Sequence, residues 1–179
     1  MQFSDAFKDR ERQIADLVTA SFTASEGAGE GALVGGLVRS QMASTPPQDL
    51  HIFLAEEDGA LLGVAVFTRL RYAADPRRVF LLSPLAVATD RQGEGIGQAL
   101  LQHALGVLHK NGVHVAMTYG NPAFYGKVGF VPLSESTAAA PLPLSHPEGW
   151  IGQSLTGAAL TPLRGPCTCV PALNDPRFW

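Results

Sequence analysis

Three glycines at alternating positions, Gly93, Gly95 and Gly97, are the residues of this chain whose spacing best suggests binding chemistry. They stand in the stretch RQGEGIGQALL, directly before an apolar pattern typical of a helix. Glycine costs roughly 1 kcal/mol relative to alanine inside a helix, but it lets main-chain N–H groups approach a ligand. A helix N-terminus adds unpaired N–H groups and a partial positive charge. The pattern therefore predicts an anion site, with phosphate as the expected occupant.

Two common phosphate-binding fingerprints do not fit these glycines. A Walker loop needs Lys followed by Ser or Thr after its last glycine, whereas Gly97 is followed by Gln98 and Ala99. The dinucleotide fingerprint G-x-G-x-x-G also fails, because its third glycine position falls on Gln98 or Leu100. A flexible turn is the remaining alternative, but three glycines are costly where one would serve.

The elements that must position the glycines form a strand–helix–strand pattern. RRVFLLSPLAVAT predicts a strand before them, and the apolar spacing from Leu100 to Leu108 predicts a helix after them, ended by Asn111-Gly112. VHVAMTY predicts the next strand, so the two strands should be parallel neighbours with a right-handed crossover. Pro84 interrupts the first strand and predicts either a sheet edge or a bulge.

The first part of the chain predicts two helices and a hairpin. Residues 7–22 predict an N-terminal helix. Residues 25–41 predict a short second helix, weakened by two adjacent glycines that interrupt its apolar stripe. HIFLAEE and LLGVAVFTRL predict antiparallel strands, because the Asp58-Gly59 pair between them is a strong hairpin signal. Segments around 153–156 and 167–170 are expected to add edge strands. With no repeat or linker, residues 1–179 are expected to form one α/β domain.

Composition and charge limit the classes of partner that the chain is expected to bind. The chain is 46% apolar, which suffices for a core, and its net charge of −3 argues against a nucleic-acid partner. No apolar run reaches the ~18 residues of a membrane span, and the charged N-terminus has no signal-peptide core, so no membrane partner is expected. Cys167 and Cys169 are too close for an unstrained disulfide, and two ligands make no zinc site. We therefore interpret both cysteines as reduced thiols of a cytoplasmic protein, and we expect no metal site.

Two segments together resemble a known family. Gln92-Gly93-Glu94-Gly95-Ile96-Gly97 is similar to the Q/R-x-x-G-x-G/A segment of the GNAT superfamily of N-acetyltransferases. NPAFYGKVGF is similar to that family's aromatic-Tyr-x-x-x-Gly-Phe signature, one helix and one strand downstream. The resemblance spans about residues 80–131 and is strongest to small bacterial acetyltransferases. It implies a mixed, splayed central sheet flanked by helices, acetyl-CoA as cofactor, and acetyl transfer to a primary amine of a small molecule or protein.

The resemblance also implies roles for individual residues. The glycine segment would bind the pyrophosphate, and the preceding strand would line the cofactor, with an amide near Ala86–Val87 polarising the thioester carbonyl. Tyr125 would protonate the departing thiolate, although a packed core tyrosine is the alternative. The residues expected to bind the cofactor are Leu85, Ala86, Val87, Gln92, Gly93, Glu94, Gly95, Ile96, Gly97 and Gln98.

No general base is evident. The predicted central strand contains no acidic residue, and the nearest carboxylates, Glu56 and Glu57, fit a solvated turn. Asn121 lies only four residues before Tyr125, whereas relatives often have an asparagine about two helical turns before this tyrosine. The missing base leaves open a non-catalytic acyl-CoA-binding sensor or interaction module. Acceptor specificity is expected in the N-terminal helices and the 134–150 loop, and a homodimer stays open.

Overall fold

The computed structural model describes residues 1–179, which form a mixed β-sheet with helices on both faces. The strands are β1 (Gln2–Ser4), β2 (Leu50–Glu57), β3 (Ala60–Tyr72), β4 (Val79–Val87), β5 (Val115–Tyr119), β6 (Val131–Pro132), β7 (Trp150–Ser154) and β8 (Cys167–Thr168). The helices are α1 (Glu11–Glu26), α2 (Ala28–Ser44), α3 (Ile96–Lys110) and α4 (Pro122–Tyr125). The predicted α/β class is confirmed. No helix combines the length and the apolar character needed to cross a membrane.

The sheet has the order β1-β2-β3-β4-β5-β7-β6, and β8 pairs separately with the end of β3. Successive side chains of its central strands point to opposite faces of the sheet, and both faces are buried. In β3, Val64 and Val66 pack towards α1 and α2, while Ala65 and Phe67 pack towards α3. The helices therefore cover opposite faces of the same strands.

The β2–β3 hairpin is confirmed at the predicted turn. Asp58 and Gly59 both have positive φ, at 50° and 81°, as a two-residue type I′ turn requires. The predicted end of α3 is also confirmed, because Asn111 caps the helix and Gly112 follows with a left-handed φ of 77°.

The N-terminal helices differ from the sequence expectation. Helix α1 begins at Glu11 rather than at residue 7, and the unpredicted strand β1 precedes it. Helix α2 is unbroken over 17 residues, so the expectation of a short helix weakened by glycines was wrong in length. A Cβ on Gly31 or Gly35 would overlap a threonine side chain of α1. These two glycines thus allow the helices to pack closely, which offsets their low helix propensity.

Strand β4 is central, pairing antiparallel with β3 and parallel with β5, so the predicted β-α-β unit is confirmed. Pro84 marks a bulge and not an edge: Ser83 and Pro84 lie between Leu82 and Leu85, opposite the single residue Val66 of β3. Pairing of β4 with β5 ends at Leu82, and the rest of β4 pairs only with β3. The sheet is therefore splayed at this point.

Of the two later segments expected to be edge strands, β8 is confirmed as one, since it pairs with β3 alone, whereas β7 is not an edge. Strand β7 lies inside the sheet, between β5 and β6, because Ile151 and Gly152 pair with a strand on each side. Strand β8 pairs with β3 only at Arg71 and Tyr72, beyond the start of β2. Both cysteines are free thiols, as expected.

Candidate active site

A cleft of about 1170 Å³ opens where β4 and β5 diverge. Helices α1 and α2 form one wall, and the glycine segment, α4 and the segment 177–179 form the others. The residues of the predicted site that line it are Leu85, Val87, Gln92, Gly93, Gly95, Ile96, Gly97, Gln98 and Tyr125. Two further predicted residues, Ala86 and Glu94, do not line the cleft. Folding thus brings the binding segment and the tyrosine into one cavity.

The glycine segment has the backbone shape that its sequence predicts. Gly93 and Gly95 have φ of 83° and 81°, a left-handed conformation that favours glycine. Gly95 caps α3 without any side-chain hydrogen bond, so the first N–H groups of the helix stay unpaired. A Cβ on Gly97 would lie 3.4 Å from the side chains of Val87 and Phe124, filling the gap between helix and strand. This hollow is lined by apolar side chains, and the unpaired N–H groups at the start of α3 beside it are donors of the kind that bind an anion such as a pyrophosphate.

Gln92 holds the start of this segment in place. Its Nε2 lies 3.3 Å from both the Val87 carbonyl oxygen and the Ser21 Oγ of α1, to which it donates. The side chain therefore joins the glycine segment to β4 and to α1. Gln92 lines the cleft as predicted, and its hydrogen bonds assign it a positioning role.

Carboxylates near the segment are engaged in ion pairs. Arg91 donates to Glu94 at 2.9 Å and to Glu57 at 3.1 Å, and it lowers the pKa of Glu57. Glu94 is exposed and its carboxylate is held by Arg91, so its side chain stabilises the loop and does not face the cleft. Glu56 is bound by Arg10. Neither Glu56 nor Glu57 is placed to act as a base, which agrees with the solvated-turn interpretation.

The main chain of β4 presents alternate amides to the cleft. The Ala88 N–H donates to the Leu62 carbonyl at 2.8 Å, and hydrogen-bonded pairs alternate along an antiparallel ladder. By this register Ala86 bonds to β3, while the N–H groups of Leu85 and Val87 face the gap left by β5. Ala86 is 2% exposed and packs towards α1 and α2, so its expected place in the cofactor lining is corrected.

Tyr125 is the last residue of α4, and its ring is packed against neighbouring aromatic side chains at the wall of the cleft. Its ring contacts Phe124 and Phe130 edge-on, with centroid separations of 5.0 Å and 5.7 Å, and it also lines the cleft. A Cβ on Gly120 would lie 2.7 Å from the Tyr125 ring, so glycine is needed there to admit the ring. The ring is thus held rigidly at the cleft wall.

Burial raises the pKa of Tyr125 to about 12, against a smaller opposing effect of the neighbouring Thr118 hydroxyl. The phenol is therefore protonated at neutral pH. Thr118 is buried and donates to the Leu82 carbonyl at 3.0 Å, at the last paired position of β4 and β5. The phenol accordingly lies near the point where the strands separate. No motif or spacing in the sequence indicated Thr118, which has the pattern of an ordinary strand residue.

The remaining walls contain charged residues that the sequence did not single out. Glu26 and Glu30 line the cleft from α1 and α2, and neither forms an ion pair. Lys127 lines it from the turn after α4 and has no carboxylate partner. Asn121 caps α4 by accepting from the Ala123 N–H at 2.9 Å. No group of three His, Cys, Asp or Glu side chains is arranged to hold a metal ion.

Comparison with known proteins places these features in a family. Residues 48–132 match the domain family described as acetyltransferase (GNAT) domain. The uncharacterized N-acetyltransferase YjhQ of Escherichia coli K12 is 30% identical over 138 residues, which cover 74% of this chain and 76% of that protein.

Solved structures agree on the fold. The Escherichia coli N-acetyltransferase YhbS in complex with CoA superposes with a TM-score of 0.71 at 22% identity, covering 91% of this chain and 88% of that one. A Brucella melitensis GNAT acetyltransferase in complex with acetyl-CoA gives 0.69 at 22% identity, covering 97% of both chains.

Proposed function

Because the chain belongs to the GNAT acetyltransferase family and is an acetyl-CoA-dependent N-acetyltransferase, we propose that its acceptor is a primary amine of a small molecule or a protein. One observation carries the proposal: uncapped glycine-segment amides, free β4 amides and a protonated tyrosine line a single cleft. These are the groups needed to bind a pyrophosphate, orient a thioester and protonate a leaving thiolate.

Each residue set would contribute one part of the transfer. The amides from Gly93 to Gln98 would bind the phosphates, helped by the positive end of α3. The N–H groups of Leu85 and Val87 would orient the acetyl carbonyl and stabilise the negative charge that develops on its oxygen. Acetyl-CoA supplies the activated acetyl group. Tyr125 would donate its proton to the departing sulfur.

The proton balance closes without a dedicated base. A neutral amine forms the new C–N bond while the C–S bond breaks, and it loses one N–H proton. Tyr125 gives one proton to the sulfur, and the amine proton restores the phenol, directly or through water. An amine of ordinary pKa, about 10.4 for a lysine, must first lose its ammonium proton to solvent.

The carboxylates of the α1–α2 wall support a basic acceptor. The unpaired carboxylates of Glu26 and Glu30 stand on the α1–α2 wall and would attract an ammonium group before it is deprotonated. Ser145 and His146 line the opposite side, from the loop where acceptor specificity was expected. The net charge of −3 also supports an amine acceptor over nucleic acid.

We extend the proposal to the setting of the reaction. Residues 1–179 would act as one N-acetyltransferase domain, since its sheet is built from strands between Gln2 and Thr168. The cytoplasm is the proposed compartment, with which the free thiols of Cys167 and Cys169 are compatible. Gel filtration would decide between a monomer and a homodimer.

Ligand-dependent stability followed by turnover tests the proposal. A ligand that binds only the folded state stabilises it by about 2.7 kcal/mol at a hundredfold excess over its Kd. We expect acetyl-CoA to raise Tm, NAD and ATP to raise it much less, and a panel of primary amines to include one that releases free CoA thiol. Equal stabilisation by NAD would contradict the cofactor assignment. Acetyl-CoA binding without turnover on any amine would favour a binding module.

A further inference from the structure

Gln41, in the last turn of α2, is a fully buried polar residue directly behind the bulge of β4. It is 0% exposed, and its Nε2 donates to the Ser83 carbonyl at 2.9 Å. Its Oε1 is buried as well and has no hydrogen-bond partner. The cleft is lined by α2 residues one and two turns earlier, Leu37 and Val34, and by Ser83 itself.

Stability alone does not explain a glutamine at this position. The neighbouring buried positions of α2, Val34, Leu37 and Val38, are apolar, and an apolar side chain would fill the same space. A buried acceptor without a partner costs free energy, so each such group in a folded protein calls for a reason. The hydrogen bond to Ser83 is the one contact that an apolar residue could not make.

The Ser83 carbonyl, which Gln41 binds, lies where the main chain of β4 loses its hydrogen bonds to the neighbouring strands. Up to Leu82 the strand is held on both sides, but from Ser83 onwards β5 has diverged and the bulge interrupts the ladder with β3. At this point side chains bind two successive carbonyls. Thr118 of β5 donates to Leu82 at 3.0 Å, and Gln41 of α2 donates to Ser83 at 2.9 Å.

We propose that Gln41 is a positioning residue for acetyl transfer: with Thr118 it fixes the β4 bulge, and so the direction of the Leu85 and Val87 amides. This inference rests on the proposed function, because these amides are the ones assigned to the acetyl carbonyl. A fixed donor stabilises developing charge without reorganising, whereas a misplacement of about 1 Å can cost about 10²-fold in rate. Gln41 itself touches no reacting atom.

The test replaces the amide without changing the shape of the side chain. Gln41→Met keeps the unbranched length and removes both the donor and the unpartnered oxygen. The matched control is Thr45→Val at the end of α2. It removes a buried hydroxyl that, like the Gln41 amide oxygen, has no hydrogen-bond partner. Thr45→Val leaves no polar group without a partner, so its Tm is expected to equal or exceed that of the wild type. In Gln41→Met the loss of the unpartnered oxygen offsets the loss of the bond to the Ser83 carbonyl, so its Tm is expected to stay close to that of the wild type.

Turnover should separate the two variants. We expect Gln41→Met to lower kcat by about tenfold while changing the Kd for acetyl-CoA less than threefold, because the glycine segment that binds the phosphates is untouched. Thr45→Val should keep both values. A wild-type kcat in Gln41→Met would overturn the proposal, whatever its Tm. A lowered Tm together with a normal kcat is the result that a purely structural role predicts.

Amide hydrogen exchange makes the test independent of finding an acceptor. In Gln41→Met the N–H groups of Ala86 and Ala88, which bond to β3, should exchange at least about tenfold faster, with the rest of the sheet unchanged. Exchange that is unchanged at these two amides, or that rises across the whole sheet, would refute the positioning role. If the wild type turned over no amine, the proposed function would fail while this measurement still decided the role of Gln41.

Discussion

Replacing Tyr125 by phenylalanine removes one oxygen and leaves the ring contacts with Phe124 and Phe130 in place. The Thr118 hydroxyl keeps its own bond to the Leu82 carbonyl, so no buried donor is orphaned. We therefore expect the free energy of unfolding to change by less than about 1 kcal/mol. Circular dichroism melting curves of the two proteins should nearly coincide.

The catalytic loss follows from the acidity of the phenol. General acid catalysis contributes about 10²–10⁴-fold, and efficiency falls when the pKa of the donor is far above that of the acceptor. The pKa of Tyr125 is about 12, whereas an ordinary thiol has a pKa of about 8.5. The loss should accordingly lie at the lower end, about 10²-fold in kcat, with the Kd for acetyl-CoA unchanged.

The pH dependence adds a signature. A general acid works while it is protonated, which for Tyr125 means below its pKa of about 12. The wild type should thus show no fall in kcat from this group between about pH 7 and pH 10. The variant should give a parallel profile about a hundredfold lower.

The assay is thiol release at saturating acetyl-CoA with any active amine. Tyr72→Phe is the matched control, because that phenol lies outside the cleft and donates to the Ala139 carbonyl at 2.8 Å. It should lower Tm and leave kcat normal, the reverse of Tyr125→Phe. A loss below about tenfold in Tyr125→Phe would refute the acid role and return the residue to the core.

Two further substitutions test the binding segment and the fold. Gly97→Val should abolish acetyl-CoA binding by filling the hollow beside α3. Gly106→Val in the same helix should still bind acetyl-CoA, because a Cβ there meets nothing within 4 Å. Calorimetry measures the binding, and circular dichroism checks that both variants are folded. Asp75→Asn should destabilise the fold by about 1.5–3 kcal/mol, because this buried carboxylate is bound by Arg77. The pKa of Asp75 is lowered in the folded protein, so its contribution is present above the unfolded pKa of about 3.9 and is lost as pH falls below it. The same Asp-Pro-Arg arrangement at Asp175 is more exposed, so Asp175→Asn should hardly change the midpoint of urea unfolding at any pH. Equal changes of this midpoint in Asp75→Asn and Asp175→Asn would contradict the reasoning.

The sequence by itself determined the features that depend on local conformation. The left-handed φ of Gly93 and Gly95 follows from residue type, and Asp58-Gly59 fixes a type I′ turn with its neighbouring strands. The order of strand, glycine segment and helix could therefore be predicted from short windows. The place of Tyr125 in the same site came from its family signature and not from periodicity.

The tertiary structure decided everything that depends on how distant segments pair. The register between β3 and β4 selects Leu85 and Val87 over Ala86, because a shift by one residue turns each amide to the other side. The role of the α2 glycines appears only once α1 lies against them. Gln41 reaches the bulge from 42 residues away in sequence, a contact that no local pattern records because packing alone creates it.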